Sequence, residues 1–157
     1  MTAARLIDAA RAKGVRIATA ESCTGGLVAG AITDIAGSSD VFECGFVTYS
    51  NLAKVRMLGV REATLAAHGA VSEETAREMA EGALSRSGAT LAVSITGIAG
   101  PGGSEHKPEG RVCFGIASSG GTRTETVDFG APGRAEVRRL SVAHALSLLS
   151  TAVDKLP

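Results

Sequence analysis

Short runs of β-branched and aliphatic residues alternate with helix-patterned stretches through the first two thirds of the chain. A glycine-joined pair of strand-like segments comes next. This order constrains the fold more than any other feature. Residues 15–19 and 91–96 are too short and too uniformly apolar for surface helices, and read as buried strands. Residues 2–13 place Leu6, Ile7 and Ala10 on one face and stop at Gly14, a helix with a C-terminal signal. Residues 25–35 are apolar and Ala-rich, a helix ending near Gly37. Residues 41–49 have strand composition, and 50–58 form a short helix. Residues 72–85 open on capping chemistry at Ser72 and Thr75 and carry a stripe of Ala76, Met79, Ala80 and Ala83. Residues 111–118 and 122–129 form a hairpin about Gly120-Gly121. Pro132-Gly133 precede a last helix with Val137, Leu140, Ala143 and Leu148 inward. Early alternation and a late hairpin predict a three-layer α/β/α sandwich with a mixed sheet, one domain over residues 1–157.

Aromatics are 3% of the 157 residues, with no Trp and 20 Gly, so the core must be built from Ala, Val, Leu and Ile. Sixteen basic residues balance sixteen acidic ones. That balance provides no electrostatic footprint for nucleic acid or an anionic membrane, and neither partner is expected. A local phosphate site needs only a few convergent donors and stays open. The first segment lacks the apolar stretch of a secretory signal. No window approaches the roughly 18–20 apolar residues of a spanning helix. Cys23, Cys44 and Cys113 match neither a disulfide framework nor a zinc site. A cytoplasmic protein without a metal or cofactor is expected.

Three segments can carry chemistry. Ala20-Glu21-Ser22-Cys23-Thr24-Gly25-Gly26 follows a buried strand and opens a helix. Its free N–H groups could meet an anion, and a serine there could be a nucleophile whose oxyanion they hold. Ser22 or Thr24 could equally be a plain helix cap. Cys23 is a rival nucleophile or simply a small buried residue. In Thr48-Tyr49-Ser50-Asn51-Leu52-Ala53-Lys54, a cap at Ser50 puts Lys54 near the first helical turn. If buried and neutral, Lys54 could take a serine proton; otherwise it is a solvated surface lysine. Lysine is scarce here, at positions 13, 54, 107 and 155, and arginine cannot serve as the base. The third segment, Thr96-Gly97-Ile98-Ala99-Gly100-Pro101-Gly102-Gly103-Ser104, is a Gly-rich loop after a strand, with neither P-loop nor dinucleotide fingerprint. It is either a ligand loop or a surface loop, and Lys107 beyond it could meet a phosphate as a point charge. His68, His106 and His144 show no ligand spacing, and His144 reads as a core or surface histidine.

Taken together, Thr19 to Gly26, Gly45 to Asn51 with Lys54, Gly69-Ala70-Val71-Ser72 and Ser94 to Pro101 resemble one family. It is the C-terminal domain of the competence/damage-inducible CinA proteins, whose stand-alone form is a nicotinamide-nucleotide amidohydrolase. The likeness runs from about residue 3 to 153, and the chain looks like that stand-alone form. It implies deamidation of nicotinamide mononucleotide to nicotinate mononucleotide and ammonia by a homo-oligomer, often a dimer, needing no metal. Carried over by position, Ser22 is the nucleophile, Lys54 the base and Tyr49 a positioning or relay group. Thr24, Gly25 and Gly26 would donate to oxyanion or phosphate. Thr96, Gly97, Gly100, Gly103, Ser104 and Lys107 would bind substrate.

Two departures from the family pattern lie beside this site. The Gly100-Pro101-Gly102-Gly103-Ser104 loop is shorter by a residue, and Lys107-Pro108-Glu109-Gly110-Arg111 stands where Lys-Pro-Val-Gly-Thr is common. The competing reading is a catalytically silent nucleotide- or protein-binding module acting in competence or DNA-damage responses. A third is an amidase for a different pyridine nucleotide or small amide.

Overall fold

The computed structural model describes residues 2–157. Thr2 caps α1 (Ala3–Ala12) by accepting the Arg5 N–H at 3.3 Å, and α1 turns Leu6, Ile7 and Ala10 inward. Next along the chain are β1 (Ile17–Glu21), α2 (Leu27–Thr33), a 3-10 turn (Ser38–Asp40), β2 (Phe42–Val47) and three helices, α3 (Asn51–Leu58), α4 (Glu62–His68) and α5 (Glu73–Ser85). The chain ends with β3 (Leu91–Gly97), the hairpin of β4 (Arg111–Ser118) and β5 (Gly121–Asp128), and α6 (Arg134–Lys155). The strands form one sheet in the order β2-β1-β3-β4-β5. β1 runs parallel to both β2 and β3, whereas β4 and β5 are antiparallel, so the sheet is mixed as expected.

Alternation along β1 distributes the two cores. Ile17 joins Leu6, Val28, Ile32 and Leu149 beneath α1, α2 and α6, while Ala18 and Ala20 meet Met79 and Ala83 of α5 on the opposite face. This is the three-layer arrangement the residue pattern predicts. The α5 side is built from small residues because the helix lies almost on the sheet. Ser94 Oγ donates to the Ala76 carbonyl at 2.6 Å, and a Cβ on Gly115 would fall 2.6 Å from that same oxygen. Each aliphatic side chain fully removed from water here contributes about 1.5–3 kcal/mol.

Some expectations shift. β1 begins and ends two residues later than the apolar run suggested, so it delivers Ser22 directly from its last residue. Helix α4 is an unanticipated element; Thr64 is its buried residue, and it offers no apolar stripe to read. In α6 the inward row is Val137, Ser141, Ala145 and Leu149, with Ala143 exposed and Leu140 and Leu148 half-buried. A serine breaks the apolar pattern: Ser141 Oγ is satisfied by the Val137 carbonyl at 2.7 Å, so it can sit inside. Among the described residues, no helix is long and apolar enough to cross a membrane.

Candidate active site

β1 is the strand at which the chain changes direction across the sheet. After β1 it passes to β2 on one side, then crosses back to β3 on the other. Open α/β sheets place ligands at the carboxyl ends of strands at such a switch point. Here the Ser22 N–H donates to Ile95 of β3 at 2.9 Å, and the Thr48 N–H donates to Glu21 at 2.8 Å, so the ladder holds the Ser22 turn from both sides.

Glu21 fixes the helix start beyond Ser22. Helix α2 has Gly26 at its N-cap with φ 104, and no capping side chain at that position. The fully buried Glu21 carboxylate fills the gap, accepting the N–H groups of Val28 at 2.9 Å and Ala29 at 3.0 Å. The expectation that this helix start is open to a ligand anion is therefore corrected, because a carboxylate of the chain already occupies it. Thr24 is fully buried and, with Gly25 and Gly26, lies outside the cleft lining. The Gly25 N–H is taken by the Ser22 carbonyl and the Leu27 N–H by that of Thr24.

Lys54 lies in the first turn of α3, whose Ser50 cap accepts the Ala53 N–H at 3.0 Å, as the sequence predicts. Its side chain is buried, 1% exposed, and runs under the Ser22 turn. Nζ lies 3.0 Å from Ser22 Oγ, 3.0 Å from the Thr48 carbonyl and 3.1 Å from that of Tyr49. Burial pulls the Lys54 pKa down to about 8, against opposing pulls from Cys23 and Glu105. A neutral amine in this position keeps two N–H donors on the two carbonyls and points its lone pair at the serine hydroxyl. Cys23 is not a competitor: burial pushes its thiol up to about 11, so it stays protonated near neutral pH.

The cleft above the dyad has a volume of about 320 Å³. Of the expected residues it brings together Ser22, Tyr49, Lys54, Thr96, Gly97, Gly100, Gly103 and Ser104. Tyr49 meets the dyad through its backbone carbonyl. Its phenol turns outward, 60% exposed, and accepts from Arg134 at 2.9 Å. Lys107 is outside the lining. Its Nζ donates to the carbonyls of His68 at 2.6 Å and Val71 at 2.5 Å, tying the Gly-rich loop to the end of α4 rather than meeting an anion. A larger groove, about 500 Å³, lies between β4, β5 and α6 and is lined by neither Ser22 nor Lys54.

Sequence reasoning overlooked several residues of this site. Arg134, the first residue of α6, lines the cleft and bonds both Tyr49 Oη and the Gly100 carbonyl at 2.7 Å. A cation opening a helix opposes the macrodipole, and that was the available signal. Glu109, in the Lys107 to Arg111 segment, accepts the Gly102 N–H at 2.6 Å and so braces the Gly-rich loop. Among the described residues no cluster of three His, Cys, Asp or Glu has metal-binding geometry.

Comparison with known proteins decides the family. The model of the CinA C-terminal domain matches residues 1–153. The chain belongs to the CinA C-terminal domain family. Within that family it is 57% identical over 143 residues to the nicotinamide-nucleotide amidohydrolase PncC of Escherichia coli, covering 90% of this chain and 87% of that protein. It is 64% identical over 110 residues to a CinA-like protein of Chloroherpeton thalassium, covering 69% of this chain and 26% of the relative. The chain thus spans about a quarter to a third of the CinA-like relatives and most of the PncC ones. The CinA fold is also seen in the competence/damage inducible protein CihA of Agrobacterium tumefaciens, with 50% identity, TM-score 0.93, and coverage of 98% of this chain and 93% of that one. A CinA superfamily protein of Klebsiella pneumoniae has 37% identity and TM-score 0.94, covering 98% and 96%.

Proposed function

We propose that this CinA-domain chain is an amidohydrolase that converts nicotinamide mononucleotide to nicotinate mononucleotide and ammonia, with Ser22 as nucleophile. The observation that carries the reading is the buried Lys54 amine 3.0 Å from the Ser22 hydroxyl, at the floor of a cleft. Relatives named as nicotinamide-nucleotide amidohydrolases, 56–57% identical over most of the chain, supply the substrate class.

Neutral Lys54 takes the Ser22 proton as Oγ attacks the carboxamide carbon. With the N–H groups of Gly25, Leu27, Val28 and Ala29 engaged inside the chain, and Thr24 and Gly26 outside the cleft lining, the N–H of Cys23 is the donor of this turn left beside Ser22 to hold the oxyanion. The tetrahedral intermediate collapses with cleavage of the C–N bond, and Lys54 passes its proton to the departing nitrogen, releasing ammonia. A water then gives its proton to Lys54 and attacks the ester, and Ser22 leaves with that proton restored. Throughout, the carbonyls of Thr48 and Tyr49 keep the amine aimed. Thr96, Gly97 and the 100–104 loop wall the substrate, and the remaining Arg134 donors face its phosphate from the cleft mouth. A silent binding module has no use for a buried amine of lowered basicity set against a serine.

Ammonia release from nicotinamide mononucleotide by the purified protein, beside Ser22→Ala and with free nicotinamide as a second substrate, tests the reading. Turnover of the mononucleotide that disappears in the mutant supports it. Well-folded wild-type protein without turnover sinks it.

A further inference from the structure

The tip of the cleft loop is a tight hairpin built from the wrong residues for its shape. Ser104 and Lys107 exchange both backbone hydrogen bonds, at 3.0 and 2.8 Å, closing a two-residue turn over Glu105 and His106. Both turn residues are left-handed, with φ of 50° and 63°. Two-residue turns of this form favour Asn and Gly, and other side chains adopt the conformation only where surroundings hold them in it. The surroundings here are explicit: Lys107 is tied to His68 and Val71, Glu109 holds the Gly102 N–H, and Arg134 holds the Gly100 carbonyl.

This turn presents a carboxylate. Glu105 lines the cleft together with Ser22 and Lys54, and among the described lining residues it is the one acidic side chain. The other charged residues of the lining are Lys54 and Arg134. With Lys54 in its neutral working form, the cation of Arg134 and the anion of Glu105 complement a ligand that carries an anionic group at one end and a positive charge elsewhere. We infer that Glu105 is a specificity-determining residue that selects carboxamides on a positively charged, N-alkylated heteroaromatic ring over uncharged rings of the same shape. The inference rests on the amidohydrolase reading and deepens it by naming the ring charge as the feature recognised. Glu105 is exposed at the loop tip, and a carboxylate there attracts a positively charged ring across partly screening solvent. The same charge also acts on the base, where Glu105 opposes the loss of basicity that burial imposes on Lys54.

The test uses two ligands with identical phosphate, ribose and carboxamide: nicotinamide mononucleotide and its reduced dihydropyridine form, whose ring is uncharged. Binding is measured by calorimetry in a Ser22→Ala background, so that neither ligand is consumed. Glu105→Gln is expected to weaken the oxidised ligand about tenfold and the reduced one less than about twofold, as loss of one nearby opposite charge requires. Glu105→Asp, which keeps the charge and suits the turn, restores most of the discrimination. With Ser22 present, Glu105→Gln raises KM more than it lowers kcat and moves the rise of activity with pH to lower pH. Equal weakening of both ligands, or no weakening, overturns the assignment. Wild-type ammonia release run alongside separates the two failures: its absence sinks the amidohydrolase reading, whereas turnover without ring discrimination sinks only the role of Glu105.

Discussion

Lys54 Nζ and Ser22 Oγ lie 3.0 Å apart across the gap between α3 and the end of β1, and neither side chain is more than 8% exposed. Burial makes the pair chemically useful, because it removes the water that would otherwise keep the lysine fully basic. Losing either member removes the unit, so Ser22→Ala and Lys54→Arg should each reduce kcat by about three orders of magnitude or more. Arginine fails because it stays charged and its planar fork cannot point a lone pair at the serine. Circular dichroism should remain native in both. An active Lys54→Arg protein would assign the base elsewhere.

The pH profile derives from the same burial. The working base is neutral Lys54, so kcat/KM should climb with pH, pass its midpoint near about 8 and level off above it. The folded pKa is lowered, so between about 8 and the ordinary value of 10.5 the unfolded chain binds more protons than the folded one. Lys54 therefore contributes stability that rises with pH across that window. The stability difference between wild type and Lys54→Met, from chemical unfolding at several pH values, should rise likewise. A flat difference would contradict the assignment.

Glu21 is expected to matter for structure more than for chemistry. Glu21→Ala leaves the Val28 and Ala29 N–H groups without an acceptor, and each buried donor orphaned costs about 1–3 kcal/mol. Glu21→Gln keeps one side-chain oxygen and should lose less. Urea unfolding of the two variants checks the order; equal losses would point to the negative charge as the whole contribution.

Lys107→Met should loosen the Gly-rich loop without touching the dyad. Its two carbonyl partners are His68 and Val71, so the variant is expected to raise KM several-fold and leave kcat within about threefold of wild type, as loss of substrate positioning rather than chemistry does. Limited proteolysis should cut near residues 100–108 faster than in wild type. An unchanged digestion pattern would show that the tether is not what holds the loop.

Gly82→Ala tests how closely α5 must approach α3. A Cβ there would collide with the Leu58 carbonyl at the end of the helix carrying Lys54. Overpacking of this kind costs about 1–3 kcal/mol. The displaced α3 should also slow turnover, measurable as a lowered melting temperature together with a lowered kcat.

Much of this was legible because its causes are local. The Ser50 cap, the Ala-rich stripe of α5 and the glycine hairpin are each written within a few neighbouring residues, and Ser22 stands where a strand meets a helix. The contacts that stayed hidden join residues far apart in the chain. Arg134 meets Tyr49 across 85 positions, and Lys107 finds its acceptors 36 and 39 positions earlier. Glu21 reaches seven residues ahead, past the left-handed Gly26, to cap a helix that lacks its own cap. Residue spacing carries no record of such contacts. The polar Ser141 on the inner face of α6 misled for a related reason, since its satisfaction by a backbone carbonyl is invisible in composition.

The acceptors that orient Lys54 are main-chain carbonyls at Thr48 and Tyr49. Side chains can be exchanged at those positions while the peptide oxygens remain, provided β2 keeps its register against β1. The base is thus insulated from mutation in a way the cleft walls are not. A lineage built on this scaffold can explore new substrates by changing Tyr49 and the loop residues, without having to rediscover how to aim its amine.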